Sequence, residues 1–314
     1  MKNKKKFLAL KQLDLPVDQY AITASGPLGI RNLRDINDID IIVTQGLWDT
    51  LAARYGVTDT GSIKKITLLD GVIEAFQEGS FYTAPMDANA PTIDERISKA
   101  EIIDGLPFDS LDRILYYKRK LGREKDLRDI FLIEHFLNMR FVHLRKEQQD
   151  LVNKWLKQDY VAKYWHGSGL QNTLNTIERF VNGQEKLFTL WMAYDKEIPF
   201  GYLMTSNVDL KTDHFFAKYC ERDAKAITLD LLIGNTTYLG KGLSHIMINK
   251  FLLESFSSIT DVFIDPGIEN HKAIHVYEKA GFEKREEFVP EWDPTGKNLL
   301  MQLKMDTSQR GGTS

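Results

Sequence analysis

Two groups of residues in this 314-residue chain have the types and spacing that chemistry needs. The first lies in the run ITLDLLIGNTTYLGKGL, where Gly240, Gly242 and Ser244 crowd the junction between an apolar strand-like stretch and a helix-like one. Small residues at a helix start leave backbone N–H groups unpaired and approachable, and the helix dipole adds partial positive charge. A pyrophosphate fits such a turn, although the same turn also serves a helix that holds no ligand. The second group is Asp38 and Asp40 within NDIDIIV. Side chains at i and i+2 of a strand share a face, so both carboxylates can hold a divalent cation, with Glu74 of VIEAF as a third ligand. Acids converging behind a small-residue loop (Ser25, Gly26) suit Mg2+-assisted nucleotidyl transfer, in which metal neutralises a triphosphate.

The elements that must position these groups change character along the chain. From about residue 18 to 140, β-branched runs alternate with helices. YAITA (20–24) and IDIIV (39–43) read as strands separated by a loop containing Gly26, Pro27 and Gly29. LWDTLAARYG has helical spacing and stops at Gly56, and KKITLL and GVIEAF read as strands around the Asp70-Gly71 turn. SLDRILYYKRKLG predicts a helix capped by Ser110 and closed by Gly122, followed by a second helix in EKDLRDIFLIEHFL.

From Phe141 the texture shifts to a strand, an amphipathic helix and the apolar runs LFTLWMAYD (187–195), IPFGYLMTS (198–206) and AITLDLLIG (226–234). A helix follows, with Leu243, Met247, Phe251 and Leu252 at helical spacing, then the strand DVFID, a helix in NHKAIHVYEKAGF and a closing strand NLLMQLKM. In NHKAIHVYEKAGF, Ala273 and Tyr277 lie one turn apart and share a face, with Asn270 before them and Gly281-Phe282 after. Taken alone, Tyr277 also fits a core-edge tyrosine. The expectation is an α/β (α+β) chain: a mixed sheet with helices over 1–139, a second sheet-and-helix domain over 140–306, and a disordered polar tail over 307–314.

Composition excludes several classes. The 41 basic and 44 acidic residues give a formal net charge of -3, without the basic footprint of a duplex nucleic-acid binder. One cysteine, Cys220, rules out an intramolecular disulfide framework and fits a reducing compartment. The basic opening MKNKKK is followed only by FLAL before Lys11, too short for a signal-peptide core, and no stretch is long enough to span a bilayer. A cytoplasmic protein that does not engage membranes is expected, of a bacterial kind if the resemblance below holds. Its oligomeric state is open.

Together, the two C-terminal patterns resemble the GNAT superfamily of acetyl-CoA-dependent N-acyltransferases over about 140–306, and within it the aminoglycoside 6'-N-acetyltransferases. WLKQDYVAKYWHG, LDLLIGNTTYLGKGL and DPGIENHKAIHVYEKAGF carry the resemblance. It implies a mixed, mostly antiparallel sheet flanked by helices, acetyl-CoA as donor and an aminoglycoside amine as acceptor, with antibiotic resistance as the outcome. It implies Asp230 as the base that orients the amine, Tyr277 as the acid to the CoA thiolate, and oxyanion donors in the backbone around Leu232 and Ile233. Cofactor contacts follow from Leu239, Gly240, Lys241, Gly242, Leu243 and Ser244, and from Asn270 and Ala273. Trp165, Asp213, Asp230 and Asp265 would line the site of the polycation. Leu239 departs from the usual Gln or Arg, and Ser244 from the usual Gly or Ala, yet Ser244 stays small enough for close approach.

Residues 15–138 resemble the nucleotidyltransferase superfamily, which implies a nucleotide and Mg2+ at Asp38, Asp40 and Glu74. Lys118, Lys125 and Asp129 would approach its phosphates, unless that run is a solvated, salt-bridged helix. The superfamily's Gly-Ser is here Ala24-Ser25. Two other readings remain: a GNAT enzyme for another amine (siderophore precursor, polyamine or protein amine), and a nucleotide-binding module with an accessory GNAT half.

Overall fold

The structure, a computed structural model, describes residues 2–81, 90–291 and 293–305, so the expected tail at 307–314 lies outside the described residues. The chain divides into two compact units, Met1–Leu137 and Asn138–Ser314. Among the described residues, no helix is long and apolar enough to cross a membrane.

The N-terminal unit runs α1 (Lys2–Lys11), β1 (Tyr20–Ile22), α2 (Gly26–Ile30), β2 (Ile39–Val43), α3 (Gln45–Tyr55), β3 (Thr58–Asp59), β4 (Lys64–Leu68), β5 (Ile73–Phe76), α4 (Ile93–Ser98), β6 (Glu101–Ile103), β7 (Leu106–Phe108), α5 (Leu111–Leu121) and α6 (Glu124–Asn138). Its seven-stranded sheet has the order β3-β4-β5-β2-β1-β7-β6. The sheet is mixed: β2 pairs in parallel with β5 and β1 with β7, while β1 and β2 are antiparallel. Local signals set the helix ends. The Ser110 hydroxyl accepts from the Arg113 amide at the start of α5, and Gly122 closes it in the left-handed conformation. The segment expected as a loop at Gly26–Gly29 is instead the short helix α2. Pro27 sits in its first turn, where a missing N–H removes no helical bond and the fixed φ favours helix. A side chain from α1 also holds this region: Asn3 donates to the carbonyls of Gly29 (3.1 Å) and Arg34 (3.0 Å) and accepts from the Ile36 amide (3.1 Å).

The C-terminal unit runs β8 (Met139–His143), α7 (Gln149–Leu156), α8 (Asp159–Ala162), α9 (Gly167–Val181), β9 (Phe188–Asp195), β10 (Ile198–Val208), α10 (His214–Ala217), β11 (Ala226–Ile233), α11 (Ser244–Ser255), β12 (Asp261–Ile264), α12 (His271–Ala280), β13 (Glu283–Phe288) and β14 (Asn298–Lys304). The sheet order is β13-β14-β12-β11-β10-β9-β8, and every pairing is antiparallel except β11 with β12. That parallel ladder covers Ala226–Asp261, Ile227–Val262 and Thr228–Phe263 and goes no further. Continued in register, the next residues sharing the Thr228–Phe263 face are Asp230, midway along β11, and Asp265, immediately after β12. Apolar residues pack that face at both sides of the divergence. One cluster joins Trp155, Leu156, Leu190, Met192, Tyr202, Met204 and Leu232, and the other joins Ala226, Phe263 and Leu300 to Phe215 and Phe216. The polar pair Ser206–Thr228 (2.8 Å) lies between them.

Candidate active site

The glycine turn keeps the geometry that a phosphate needs. Gly240 and Gly242 have φ of 72° and 70°, which a side chain rarely tolerates. The space where a Gly240 Cβ would stand is open. Ser244 begins α11, whose first ladder bond runs from the Met247 amide to the Leu243 carbonyl (2.8 Å). A helix start of this kind directs its first-turn amides and the positive end of its dipole toward the glycine turn, the general geometry of an anion site. Leu239, Gly240, Lys241 and Gly242 are exposed and Leu243 is buried beneath them. The turn is anchored from behind. Tyr238 stacks on Phe200 (4.8 Å) and donates to Asp195 (2.9 Å), and burial with that contact pushes its phenol up to about 12.

The end of β11 is fixed by two residues that the sequence reading passed over. The Tyr160 hydroxyl donates to the Ile233 carbonyl (2.6 Å). Trp155 lies so close to Gly234 that a Cβ there would fall 1.8 Å from its Cδ2. Both contacts join residues more than seventy positions apart in sequence, so no local pattern encodes them. Leu232 and Ile233 are thereby held at the end of β11, beyond the point where it parts from β12.

Three of the expected chemical groups meet at this divergence. Burial and the nearby Asp265 carboxylate push Asp230 up to about 7. Burial pushes Asp265 up to about 6, against a hydrogen bond from Asn298 that lowers it. Tyr277, 8% exposed on α12, is raised well above an ordinary phenol by burial and then by the charges of Asp230 and Asp265. It therefore stays protonated across the neutral range. Such a trio pairs carboxylates poised to take a proton near neutrality with a phenol that has one to give. Tyr202 faces the same region from β10. Its register partner is Leu232, its hydroxyl is fully buried, and that hydroxyl has no hydrogen-bond partner among the described residues. Its phenol is raised by burial and by Asp230.

Other expected residues have different surroundings. Asn270 caps α12, its side chain accepting from the Ala273 amide (3.2 Å), and Ala273 is half-buried in the first turn. Asp213 caps α10 by accepting from the amides of Phe215 (3.2 Å) and Phe216 (3.5 Å), so its carboxylate is engaged locally. Trp165 is half-buried, donates to Thr173 (2.9 Å) and lies 6.5 Å from the Tyr202 ring.

In the N-terminal unit, Asp40 and Glu74 are register partners on β2 and β5. Burial, then Asp38 and Glu74, push Asp40 up to about 7, while Lys65 and Lys118 pull it down. Lys65 forms an ion pair with Glu74. Among the described residues no group of three or more His, Cys, Asp or Glu is disposed to hold a metal ion. The three acids thus share a neighbourhood without forming a ligand set, and Glu74 is engaged by a lysine. Lys118 and Asp129 are withdrawn from solvent, so the run is salt-bridged but not a solvated helix face. Lys118 is buried between Asp126 (3.0 Å) and Asp129 (2.8 Å), and Asp129 also takes Arg34 (2.6 Å). Lys125 is exposed.

Comparison with known proteins bears on the C-terminal unit. Residues 145–289 match the acetyltransferase (GNAT) domain family. The aminoglycoside N(6')-acetyltransferase type 1 of Serratia marcescens is 28% identical over 179 residues, covering 55% of this chain and 86% of that protein. The protein of the same description from Klebsiella pneumoniae is 28% identical over 141 residues, 43% of this chain and 69% of its own length. Among solved structures, the aminoglycoside N(6')acetyltransferase of Legionella pneumophila shares 40% identity, with 53% of this chain and 92% of that one covered and a TM-score of 0.48.

Proposed function

Since the C-terminal unit is a GNAT acetyltransferase domain related to the aminoglycoside 6'-N-acetyltransferases, we propose that it acetylates an amine of an aminoglycoside, the 6'-amine, and so confers resistance. The observation that supports this most directly is the meeting of Asp230, Asp265 and Tyr277 at the divergence of β11 and β12, on the strand that leads into the open glycine turn. Acetyl-CoA, when bound, supplies a thioester whose carbonyl an amine can attack. The open space at Gly240 and the start of α11 just after it fit its pyrophosphate, with Leu239–Ser244 as the cradle.

The remaining roles belong to the chain. Asp230 accepts the proton of the acceptor's ammonium, directly or through water, and leaves the free amine nucleophilic. A cation arriving between Asp230 and Asp265 favours their ionised forms, which returns Asp230 to the state a base requires. The backbone amides near Leu232 and Ile233 stabilise negative charge on the carbonyl oxygen, and Tyr160 keeps that strand end in place. Tyr277, held protonated by its surroundings, would give its proton to the sulfur as the C–S bond breaks and regain one as the newly acetylated nitrogen sheds its surplus proton, directly or through water. Trp165 offers an aromatic wall and Asp265 a second anchor for a polycation; Asp213 would serve only if its cap opened.

The test is thiol release from acetyl-CoA across a panel of amines. Turnover with kanamycin-like acceptors, lost in Asp230→Asn, is the expected result. Turnover confined to polyamines, siderophore precursors or peptides would transfer the same chemistry to another acceptor. Wild-type rates in Asp230→Asn would remove the proposed base.

A second proposal concerns the N-terminal unit, favoured by the register pairing of Asp40 with Glu74 close to Asp38. We read it as a nucleotidyltransferase-like, nucleotide-binding domain in which Mg2+ would have to displace Lys65 from Glu74. Mg2+-dependent ATP binding that disappears in Asp38→Ala and Asp40→Ala is expected. Equal binding in all three proteins, or none in the wild type, overturns it.

A further inference from the structure

One buried side chain at the divergence belongs to neither sequence motif. Asn298, the first residue of β14, is 5% exposed. Its amide nitrogen donates to the backbone carbonyl of Asp265 (2.8 Å) and to Oδ2 of the same residue (2.9 Å). Both acceptors require a donor, so the amide orientation is fixed by its partners, and its two hydrogens match them one to one. We infer that Asn298 is a positioning residue of the acceptor site: it clamps Asp265 by main chain and side chain together, commits Oδ2, and leaves Oδ1 for an incoming cationic amine beside Asp230.

The main chain nearby does not depend on this clamp. The Leu299 amide bonds to the Pro266 carbonyl (2.9 Å), the Ile268 amide bonds to the Lys297 carbonyl (3.0 Å), and Gly267 bridges Asn298 through the backbone. These contacts secure the segment after β12 whatever stands at position 298. The side chain therefore has a separable task. An unrestrained Asp265 could rotate away from the like charge of Asp230, whereas the clamped one must face it. The titratable groups bearing on this carboxyl are Asp230 from β11 and Tyr277 from α12. Alanine at 298 would take the donor from the main-chain carbonyl and from Oδ2 of Asp265, serine would keep one donor, and aspartate would add a third acid to the pair.

This inference rests on the acetyl-transfer reading for its consequence in turnover, but its core can be measured without any acceptor. The carboxyl resonance of Asp265, assigned with Asp265→Asn, is titrated by 13C NMR in the wild-type protein and in Asn298→Ala. The expected midpoint rises by about half a pH unit or more in the variant, since a bond favouring the ionised form is gone. With kanamycin as acceptor, the expected change in Asn298→Ala is a KM for the amine raised about tenfold, with kcat and the KM for acetyl-CoA within about twofold. Asn298→Ser, which keeps one donor, should recover part of both effects and also serves if the alanine variant does not fold. An unchanged Asp265 midpoint overturns the inference, and so does a uniform loss across kcat and both KM values. If the wild-type protein turns over no aminoglycoside, that acceptor reading fails while the titration still decides the role of Asn298.

Discussion

Replacing Asp230 by Asn should make the protein less active and, at alkaline pH, more stable. The carboxyl of Asp230 is lifted from 3.8 to about 7, first by burial and then by Asp265. A group whose folded pKa lies above its unfolded value favours the fold fully below the unfolded pKa, and that benefit disappears as pH rises through the folded pKa. The window here runs from about pH 4 to about pH 7. A rise of roughly three pH units at about 1.4 kcal/mol each bounds the penalty near 4 kcal/mol at pH 8, and water reaching the cleft reduces it to about 2 kcal/mol. At about pH 4.5 less than a quarter of the penalty has developed. Urea unfolding of both proteins at the two pH values should show Asp230→Asn gaining about 1–2 kcal/mol at pH 8 relative to its difference at pH 4.5. In parallel, thiol release should fall by about a hundred- to ten-thousand-fold, the range for loss of a general base. Equal midpoint shifts at the two pH values would refute the electrostatic reasoning, because no titrating group would then separate the conditions.

Other expectations follow from the same geometry. Tyr277→Phe should lower kcat at least about tenfold with little change in the KM for acetyl-CoA, since the ring packing survives and only the proton donor is lost. Gly240→Ala forces a side chain into a left-handed backbone at about 1–2 kcal/mol, so acetyl-CoA affinity measured by calorimetry should weaken by about tenfold. Gly234→Ala drives a methyl into Trp155 and should destabilise the fold by about 2–3 kcal/mol in thermal unfolding.

Legibility of the fold in the sequence follows the range of each interaction. The turn at Gly240–Ser244, the cap at Ser110 and the stop at Gly122 are local devices, and the structure forms them where the residue types imply. Asp230 and Tyr277 were legible through a long motif rather than through their own surroundings. By contrast, α9 carries Leu170, Leu174, Ile177 and Val181 at helical spacing, a pattern present in the chain yet not read from it. The short strands β3, β6 and β7 offer only two or three residues each, too few to register a period. Asn298 was read only as part of a closing strand, because its partner Asp265 lies 33 positions away and nothing in NLLMQLKM announces that pairing. The N-terminal ionic network fails for a related reason. KRKLGREKDLRDI shows alternating charge, but only tertiary packing determines that Lys118, Asp126 and Asp129 turn inward to neutralise one another.

The early end of the β11–β12 ladder has an evolutionary corollary. Main-chain bonds on the β10 side of β11 run on from Ala226 to Ile233 regardless of what projects from the free flank. Side chains on that flank can consequently drift one at a time, and under the proposed function positions 265 and 298 are where a new acceptor preference would arise without disturbing the β10–β11 ladder.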